Sequence, residues 1–408
     1  MKPAEKSIHA VLAPLVRGTG LNAVKEALAV TPGPAEKING ALNADIGKAV
    51  RDGSIDEEEA AEILRGAAKT AGENLPSCVT VSTGGEIIGS YWMDRTLDAA
   101  RERRERKDAA PLAAAEKIEN AGICPEGSSS EKRSEIVKNR IALVTGGAQG
   151  FGEEIVRGLA ASGAFVFIAD LNIKGAEALA RSINGALGKT AAAAVSLDVS
   201  NEESAEQVFA FAAETAGGLD LLISNAGVLK AGSVLEQDAA SFRFTTDVNY
   251  VGYFIMAKHA GRLMRRQHRT AAGWKTDIIQ INSKSGLEGS NKNGAYSGGK
   301  FGGIGLTASF ALELIDYNIK VNAICPGNFF DGPLWSDPQK GLFVQYLNAG
   351  KVKGAKTIAD VKTYYEEKVP MKRGCTGPDV MRAVYYIVEQ EYETGQAVPV
   401  TGGQVMMH

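Results

Sequence analysis

Ile141-Ala142-Leu143-Val144-Thr145-Gly146-Gly147-Ala148-Gln149-Gly150-Phe151-Gly152 decides how the rest of the chain is read. An apolar run breaks into a glycine-rich turn, and Glu154-Ile155-Val156-Arg157-Gly158-Leu159 takes up a helical pattern at once. Glycine lets such a turn's backbone approach something bulky and charged, because it has no side chain and tolerates positive φ. The helix behind it offers unpaired N–H groups and a partly positive end, a ready seat for a pyrophosphate. Glycine spacing alone is weak evidence. The next strand strengthens it. After Gly163, Phe165-Val166-Phe167-Ile168-Ala169 gives a second buried strand that ends in Asp170. An acidic residue about 20 positions beyond the turn, at a strand's carboxyl end, is placed to grip a ribose diol.

From about residue 138 to the end, strand and helix patterns alternate, which predicts an α/β fold: a Rossmann-type, doubly wound parallel sheet with helices on both faces. The later strands are read at Ala191–Leu197, Leu219–Ser224, Asp277–Ile281, Ile319–Ile324 and Ala397–Val400, with a helix capped by Ser200 and Glu203 among them. Ligands of such sheets bind at the carboxyl ends of the strands.

The first 130 residues read differently, as a mainly helical appended domain. Leu21–Leu28 and Ser54–Lys69 are helical patterns, the second opened by Ser54 and Glu57 as a capping box. Cys78–Ser82 and Glu86–Ile88 flank Thr83-Gly84-Gly85 as a hairpin. Arg101–Lys107 is basic, but its interleaved glutamates predict a solvated, internally paired helix face. No catalytic set assembles here, and subunit contacts or regulation are the expected role. Gly122–Ser130 is polar and rich in breakers, which sets a linker over 131–137 and a boundary near 130 to 138.

A chain of 408 residues predicts two domains. Its net charge of −3 argues against a general nucleic-acid or membrane binder. Cys78, Cys124, Cys325 and Cys375 stand far apart without metal-ligand spacing, as free thiols in a reducing cytoplasm do. No apolar run nears the ~20 residues of a membrane span. The Ile8–Val16 patch holds His9 and Pro14 and has no cleavage pattern, so no signal peptide is expected. His259 and His268 lie on a basic amphipathic helix and suit packing better than metal ligation; no metal is expected.

Asn225-Ala226-Gly227 ends the fourth strand of the alternating part, and Ser283 ends the fifth. Tyr296 and Lys300 stand one helical turn apart, so their side chains share a face. Alone, such a pair is an ordinary surface feature. Together with the glycine turn, Asp170, the Asn-Ala-Gly turn and the upstream serine, it resembles the short-chain dehydrogenase/reductase family across roughly residues 138 to 408. A narrower resemblance, to members acting on sugar-alcohol phosphates, rests on Ile278–Gly286, Lys300–Gly303, Tyr364–Cys375 and Thr401–Met406.

The resemblance implies a dehydrogenase that uses NAD to interconvert a sugar-alcohol phosphate and a ketose phosphate. It puts Gly146, Gln149, Gly150, Phe151 and Gly152 against the cofactor, with Asp170, Asp198, Val199, Asn225, Ala226, Gly227, Pro326 and Gly327. Asn249, Ser283, Tyr296 and Lys300 fall on the catalytic tetrad, the last two also contacting cofactor. Ser283 would hold the substrate oxygen, and Asn249 would carry a water that links Lys300 to solvent.

Charge supplies the mechanism. Bringing a phenol from a pKa near 10 to about 7 takes roughly 4 kcal/mol. An ammonium about 4 Å away provides roughly that at an effective dielectric near 20. Tyr296 would then exchange the alcohol proton. Asp170 disfavours the 2′-phosphate of NADP by several kcal/mol before screening, and Leu171 and Asn172 supply no rescuing arginine, with Lys174 the one cation nearby.

Lys230, Lys284, Lys292, Lys372 and Arg373 are the candidates for the substrate phosphate. Asn328-Phe329-Phe330-Asp331 stands where many members carry a threonine for the nicotinamide carboxamide. The expected partners are a small sugar or polyol phosphate and further copies of the chain, as a dimer or tetramer. Two rival readings are a reductase for another polyol, sugar acid or acyl ketone, and a non-catalytic sensor of NAD and sugar phosphate.

Overall fold

The computed structural model describes residues 8–24, 28–33, 35–38, 41–51, 54–71, 75–110, 112, 135–348 and 350–406. The N-terminal region contains α1 (Ile8–Val24), β1 (Ala29–Gly33), β2 (Leu42–Asp45) and the two-residue strands β3 (Val50–Arg51) and β4 (Ser54–Ile55). It continues through α2 (Glu57–Ala71), β5 (Cys78–Thr83), β6 (Glu86–Asp94) and α3 (Leu97–Arg106). Helices are present as expected, and with them comes a four-stranded sheet in the order β1-β6-β5-β2. Its central hairpin is the one the sequence predicts.

The apolar patch at the start is the first part of α1, whose Leu12, Leu15 and Val16 are fully buried. The capping box at Ser54 does not form. Ser54 lies in β4, and Asp56 caps α2 by accepting the Glu58 and Glu59 N–H groups. Of the basic run, Arg106 pairs with Glu102 as expected of a solvated face, but Arg103 and Arg104 turn inward to Asp94 and to the Pro32 carbonyl. The stretch Gly122–Ser130 and most of the linker lie outside the described residues. Glu135–Val137 forms one turn, with Val137 buried.

The remainder is the doubly wound sheet. Its elements are β7 (Ile141–Thr145), α4 (Gly150–Ala161), β8 (Phe165–Asp170), α5 (Ile173–Leu187), β9 (Ala192–Ser196), α6 (Glu202–Ala216) and β10 (Leu221–Ser224). Then come α7 (Ala239–Thr246), α8 (Gly252–His268), β11 (Thr276–Ile281), α9 (Gly294–Leu314) and β12 (Ile319–Pro326). Three short helices come next, α10 (Pro333–Ser336), α11 (Leu342–Asn348) and α12 (Ile358–Glu367), then α13 (Gly377–Glu389) and β13 (Ala397–Val400). Asn201, not Ser200, caps α6, because its carboxamide reaches the Ser204 N–H while the Ser200 hydroxyl turns to Asp198.

The seven strands pair in parallel in the order β13-β12-β11-β10-β7-β8-β9. Near-continuous burial along β7, β8, β10, β11 and β12 is what a sheet covered on both faces requires. One core lies under α6, α8 and α9, the other under α4, α5 and α13. Strand order reverses between β10 and β7, the switch point where such sheets leave a crevice. A separate aromatic core of Phe330, Trp335 and Phe343, joined by Val352, Val361 and Val369, holds together the segment after β12.

Candidate active site

The glycine turn closes on itself because two side chains stitch it to its neighbour. Thr145 Oγ1, fully buried, accepts the N–H groups of Asn225 and Ala226 at 3.0 and 2.9 Å. Asn225 Nδ2 donates back to the carbonyls of Thr145 and Gly146, each at 3.0 Å. Gly146 has φ +61°, and a Cβ at Gly152 would lie 2.0 Å from the Gly146 carbonyl oxygen, so neither position takes a side chain. Gln149 ends the turn in extended backbone and makes no side-chain cap to α4. The first N–H groups of that helix, at Gly150, Phe151 and Gly152, therefore suit a pyrophosphate.

Asp170 ends β8 beside this turn, where its carboxylate accepts the Ala148 and Asn172 N–H groups at 2.9 and 2.8 Å. Asp198 is exposed and accepts the Ser200 N–H, while Val199 is buried next to it. Pro326 and Gly327 are buried at the end of β12, and the Gly327 N–H donates to Val400. The residues named for the cofactor thus line the carboxyl ends of β7, β8, β9, β10 and β12. Sequence reasoning missed Thr145; a threonine closing the strand before the turn was its only local signal.

Ser283 lies just beyond β11, and Tyr296 and Lys300 stand in the first two turns of α9. Asn249 sits in a widened, π-helical turn (Asp247–Val251), a distortion frequent at functional sites. Its carboxamide accepts the Val228 N–H at 3.0 Å and donates to the Val228 carbonyl at 2.7 Å, so the side chain anchors the loop after β10. Lys300 is 4 % exposed, and its Nζ donates to the Ile281 carbonyl at 2.9 Å. The same ammonium lies 5.7 Å from the centre of the Tyr296 ring. The Ser283 side chain lies close to the Tyr296 phenol and favours its ionised form.

The electrostatics differ from the simple expectation of a phenol made acidic by its lysine. Burial pushes the Tyr296 phenol above its ordinary range, although the nearby Ser283 side chain works the other way. Burial also lowers the Lys300 ammonium to about 8. The Ile281 carbonyl accepts a hydrogen bond from the Lys300 ammonium, and desolvation sets the direction of both shifts. The protein alone therefore holds tyrosine as a neutral acid beside a readily deprotonated amine. Cys325, fully buried behind them, has its thiol raised to about 11 by burial.

The phosphate candidates divide. Arg373 pairs with Asp379 through two hydrogen bonds of 2.6 and 3.0 Å. Lys372 donates to the Glu367 carbonyl, and Lys284 pairs with Glu288 at 3.3 Å. Lys230 lies over the Phe244 ring. Lys230 and Lys292 are both exposed, on loops joined by a hydrogen bond from the Gly232 N–H to the Lys292 carbonyl. In place of the missing threonine, the Asn328 N–H donates to the Gln404 side chain, and Asp331 pairs with Lys362. Phe329 stacks on Phe151, with ring centres 4.4 Å apart and planes 13° apart.

His259 is buried against Glu202 and stacks on Phe209. Among the described residues, no group of three His, Cys, Asp or Glu side chains gathers as a metal site needs, and no helix is long and apolar enough to cross a membrane.

The family model described as short chain dehydrogenase matches residues 140–335, the stretch that carries every member of the Asn249, Ser283, Tyr296 and Lys300 set. Sorbitol-6-phosphate 2-dehydrogenase of Escherichia coli is 38% identical over 270 residues, covering 66% of this chain and 99% of that protein. Galactitol 2-dehydrogenase of Agrobacterium fabrum is 31% identical over 272 residues, covering 66% of this chain and 99% of its own length. The crystal structure of sorbitol-6-phosphate 2-dehydrogenase SrlD from Erwinia amylovora superposes with a TM-score of 0.60 at 40% identity, covering 65% of this chain and all of that one. A likeness that spans nearly the whole length of these relatives shows the ancestry: the chain belongs to the short-chain dehydrogenase/reductase family and is an oxidoreductase.

Proposed function

We propose that the protein is an NAD-dependent dehydrogenase interconverting a sugar-alcohol phosphate and a ketose phosphate, with sorbitol 6-phosphate and fructose 6-phosphate as the favoured pair. The observation that carries the reading is the meeting of Ser283, Tyr296 and Lys300 at the carboxyl end of β11, one strand from the switch point, in a chain similar to sorbitol-6-phosphate 2-dehydrogenases. Members of this family generally use NAD or NADP, and the carboxylate of Asp170 favours NAD.

The residues divide the work by their chemistry. The N–H groups at the start of α4 hold the pyrophosphate, Asp170 the adenosine ribose, and Lys300 the nicotinamide ribose. The bound nicotinamide supplies the hydride donor or acceptor and, when oxidised, a positive charge. Ser283 hydrogen-bonds the substrate oxygen. Tyr296 donates its proton to that oxygen in reduction and recovers it in oxidation. A neutral phenol, as burial leaves it here, is the correct form for the reductive direction. Of the cations, Lys230 and Lys292 are the better phosphate ligands, because both are exposed on neighbouring loops and neither has an ion-pair partner among the described residues.

We expect a homo-oligomer, dimer or tetramer, in the cytoplasm, where the Cys78, Cys325 and Cys375 thiols would stay reduced. Turnover of a panel of phosphorylated and free ketoses with NADH tests the substrate. Fructose 6-phosphate should lead it; a free ketose or an acyl ketone that is reduced while fructose 6-phosphate is not would overturn the assignment. Tyr296→Phe should lower turnover by about 10³-fold or more and leave NADH binding intact, since it removes the proton donor and little else. A biological activity that survives this change while turnover is lost would favour the sensor reading.

A further inference from the structure

β11 ends in Gln280 and Ile281, Asn282 follows directly, and all three act on α9. Asn282 is 4 % exposed and Gln280 2 %. Asn282 Nδ2 donates to the Lys300 carbonyl at 2.9 Å and to Gln280 Oε1 at 2.8 Å. Its Oδ1 accepts the Ser283 N–H at 2.8 Å. The carbonyl of the residue between them, Ile281, accepts the Lys300 ammonium. Lys300 is thus held at its backbone and at its tip by consecutive residues. The carboxamide that holds the backbone also holds Ser283. α9 can come this close because residue 303 is glycine: a Cβ there would lie 2.4 Å from Gln280 Nε2.

Both donors of the Asn282 carboxamide and one lone pair of its oxygen are engaged within the protein, and the side chain is buried, so the group acts on the protein and not on substrate. A buried amide used this way fixes orientation, since any rotation strands a polar atom in a dry interior. We propose that Asn282 is a positioning residue of the dehydrogenase reaction, setting the frame in which Ser283 and Lys300 face Tyr296. The inference rests on the reading of Ser283, Tyr296 and Lys300 as the reacting set. It explains why a carboxamide stands in a site that an apolar side chain would fill with no polar group to desolvate.

Asn282→Ala removes both arms, and a displacement of about 1 Å at a reacting group costs on the order of 100-fold in turnover. The expected result is a kcat lowered by about that factor with KM for NADH little changed. Asn282→Asp is the sharper test. An ionised carboxylate still accepts the Ser283 N–H, but it repels the Lys300 carbonyl and Gln280 Oε1. Once protonated it regains a donor, and burial raises the pH at which this happens. Its turnover relative to the unaltered enzyme should therefore recover as pH falls, a dependence that a merely structural role would not produce.

Tyr296→Phe runs in parallel. A normal kcat and pH profile in Asn282→Ala, with Tyr296→Phe inactive, overturns the positioning role and leaves the function standing. An active Tyr296→Phe overturns both. Should Asn282→Ala fail to fold, Asn282→Asp decides: pH-dependent recovery supports the role, and a loss that only tracks the folded fraction refutes it.

Discussion

At the scale of single residues, the titration of Lys300 is the most exposed part of the mechanism. Burial lowers its ammonium to about 8 in the protein alone. Below that pH a positive lysine meets the positive ring of an oxidised nicotinamide; above it the amine is neutral. The affinity for NAD should therefore rise as pH increases through about 8, while that for NADH changes much less. Calorimetric titration of both cofactors across this range checks it, and equal pH dependence for the two would remove Lys300 as the cause. Asp170 carries a second prediction. Replacing its carboxylate removes a repulsion of several kcal/mol before screening, so Asp170→Ala should raise kcat/KM for NADPH by about 10-fold or more and lower it for NADH. Both positions were legible in the sequence because a strand, a turn and a helix fix them locally. Asn282 was not. Its partner Lys300 lies 18 residues away, and only the packing of α9 on the end of β11 turns a plain polar residue into a clamp.

At the scale of elements, the segment after β12 closes over the glycine turn through one aromatic contact. Phe329 stacks on Phe151, and the nearest atom to a Cβ at Gly150 would be Pro333 Cδ, 4.0 Å away at the start of α10. Stacked rings contribute about 0.5–1.5 kcal/mol beyond the area they bury. Phe329→Ala should therefore speed NADH release by roughly 2- to 12-fold, with the chemical step in single turnover unchanged, as stopped-flow fluorescence would measure. An unchanged release rate would mean that the stack does not latch the segment. The parallel sheet itself was legible throughout, since its central strands β7, β8 and β10 are continuous apolar runs whose burial follows from the run alone. The N-terminal sheet was legible only at its hairpin. β1 ends in Pro32 and Gly33, and β2 pairs in parallel with β5 across α2, with Leu42 opposite Val79, so neither strand has a local signal. Caps erred by one or two positions where several polar residues competed for the same N–H groups, as at Asp56 and Asn201.

At the scale of the whole molecule, the N-terminal region is joined to the dehydrogenase sheet by a buried ion pair. Arg17 of α1 reaches Asp220 at 2.6 Å, both side chains fully buried, at the amino end of β10 and so opposite the site. Asp220 also accepts the Ile141 N–H and the Trp274 indole N–H. Glu57 and Glu58 of α2 add contacts to Arg266 and Arg269 around the edge. Burial pushes the Asp220 carboxyl up, but Arg17's charge and hydrogen bond, helped by Arg140 and the Ile141 N–H, more than offset it and leave the carboxyl below its ordinary range. Its stabilising share is therefore complete above the unfolded pKa of about 3.9 and is lost as pH falls through the lower folded value. Arg17→Met would strand the carboxylate and destabilise the fold by about 3–5 kcal/mol at neutral pH. The sign of the pH effect then reverses. Without Arg17, burial lifts Asp220 above its unfolded pKa, so protonation favours the folded state and the gap to the unaltered protein narrows as pH falls towards 4. Adding Asp220→Asn to Arg17→Met should restore most of the loss, because an amide needs no countercharge. Thermal unfolding of the single and double variants from pH 7 down to about 4 would check all three expectations. A pH-independent deficit in Arg17→Met, or no rescue by the asparagine, would show that the seam is held by its apolar contacts and not by this pair.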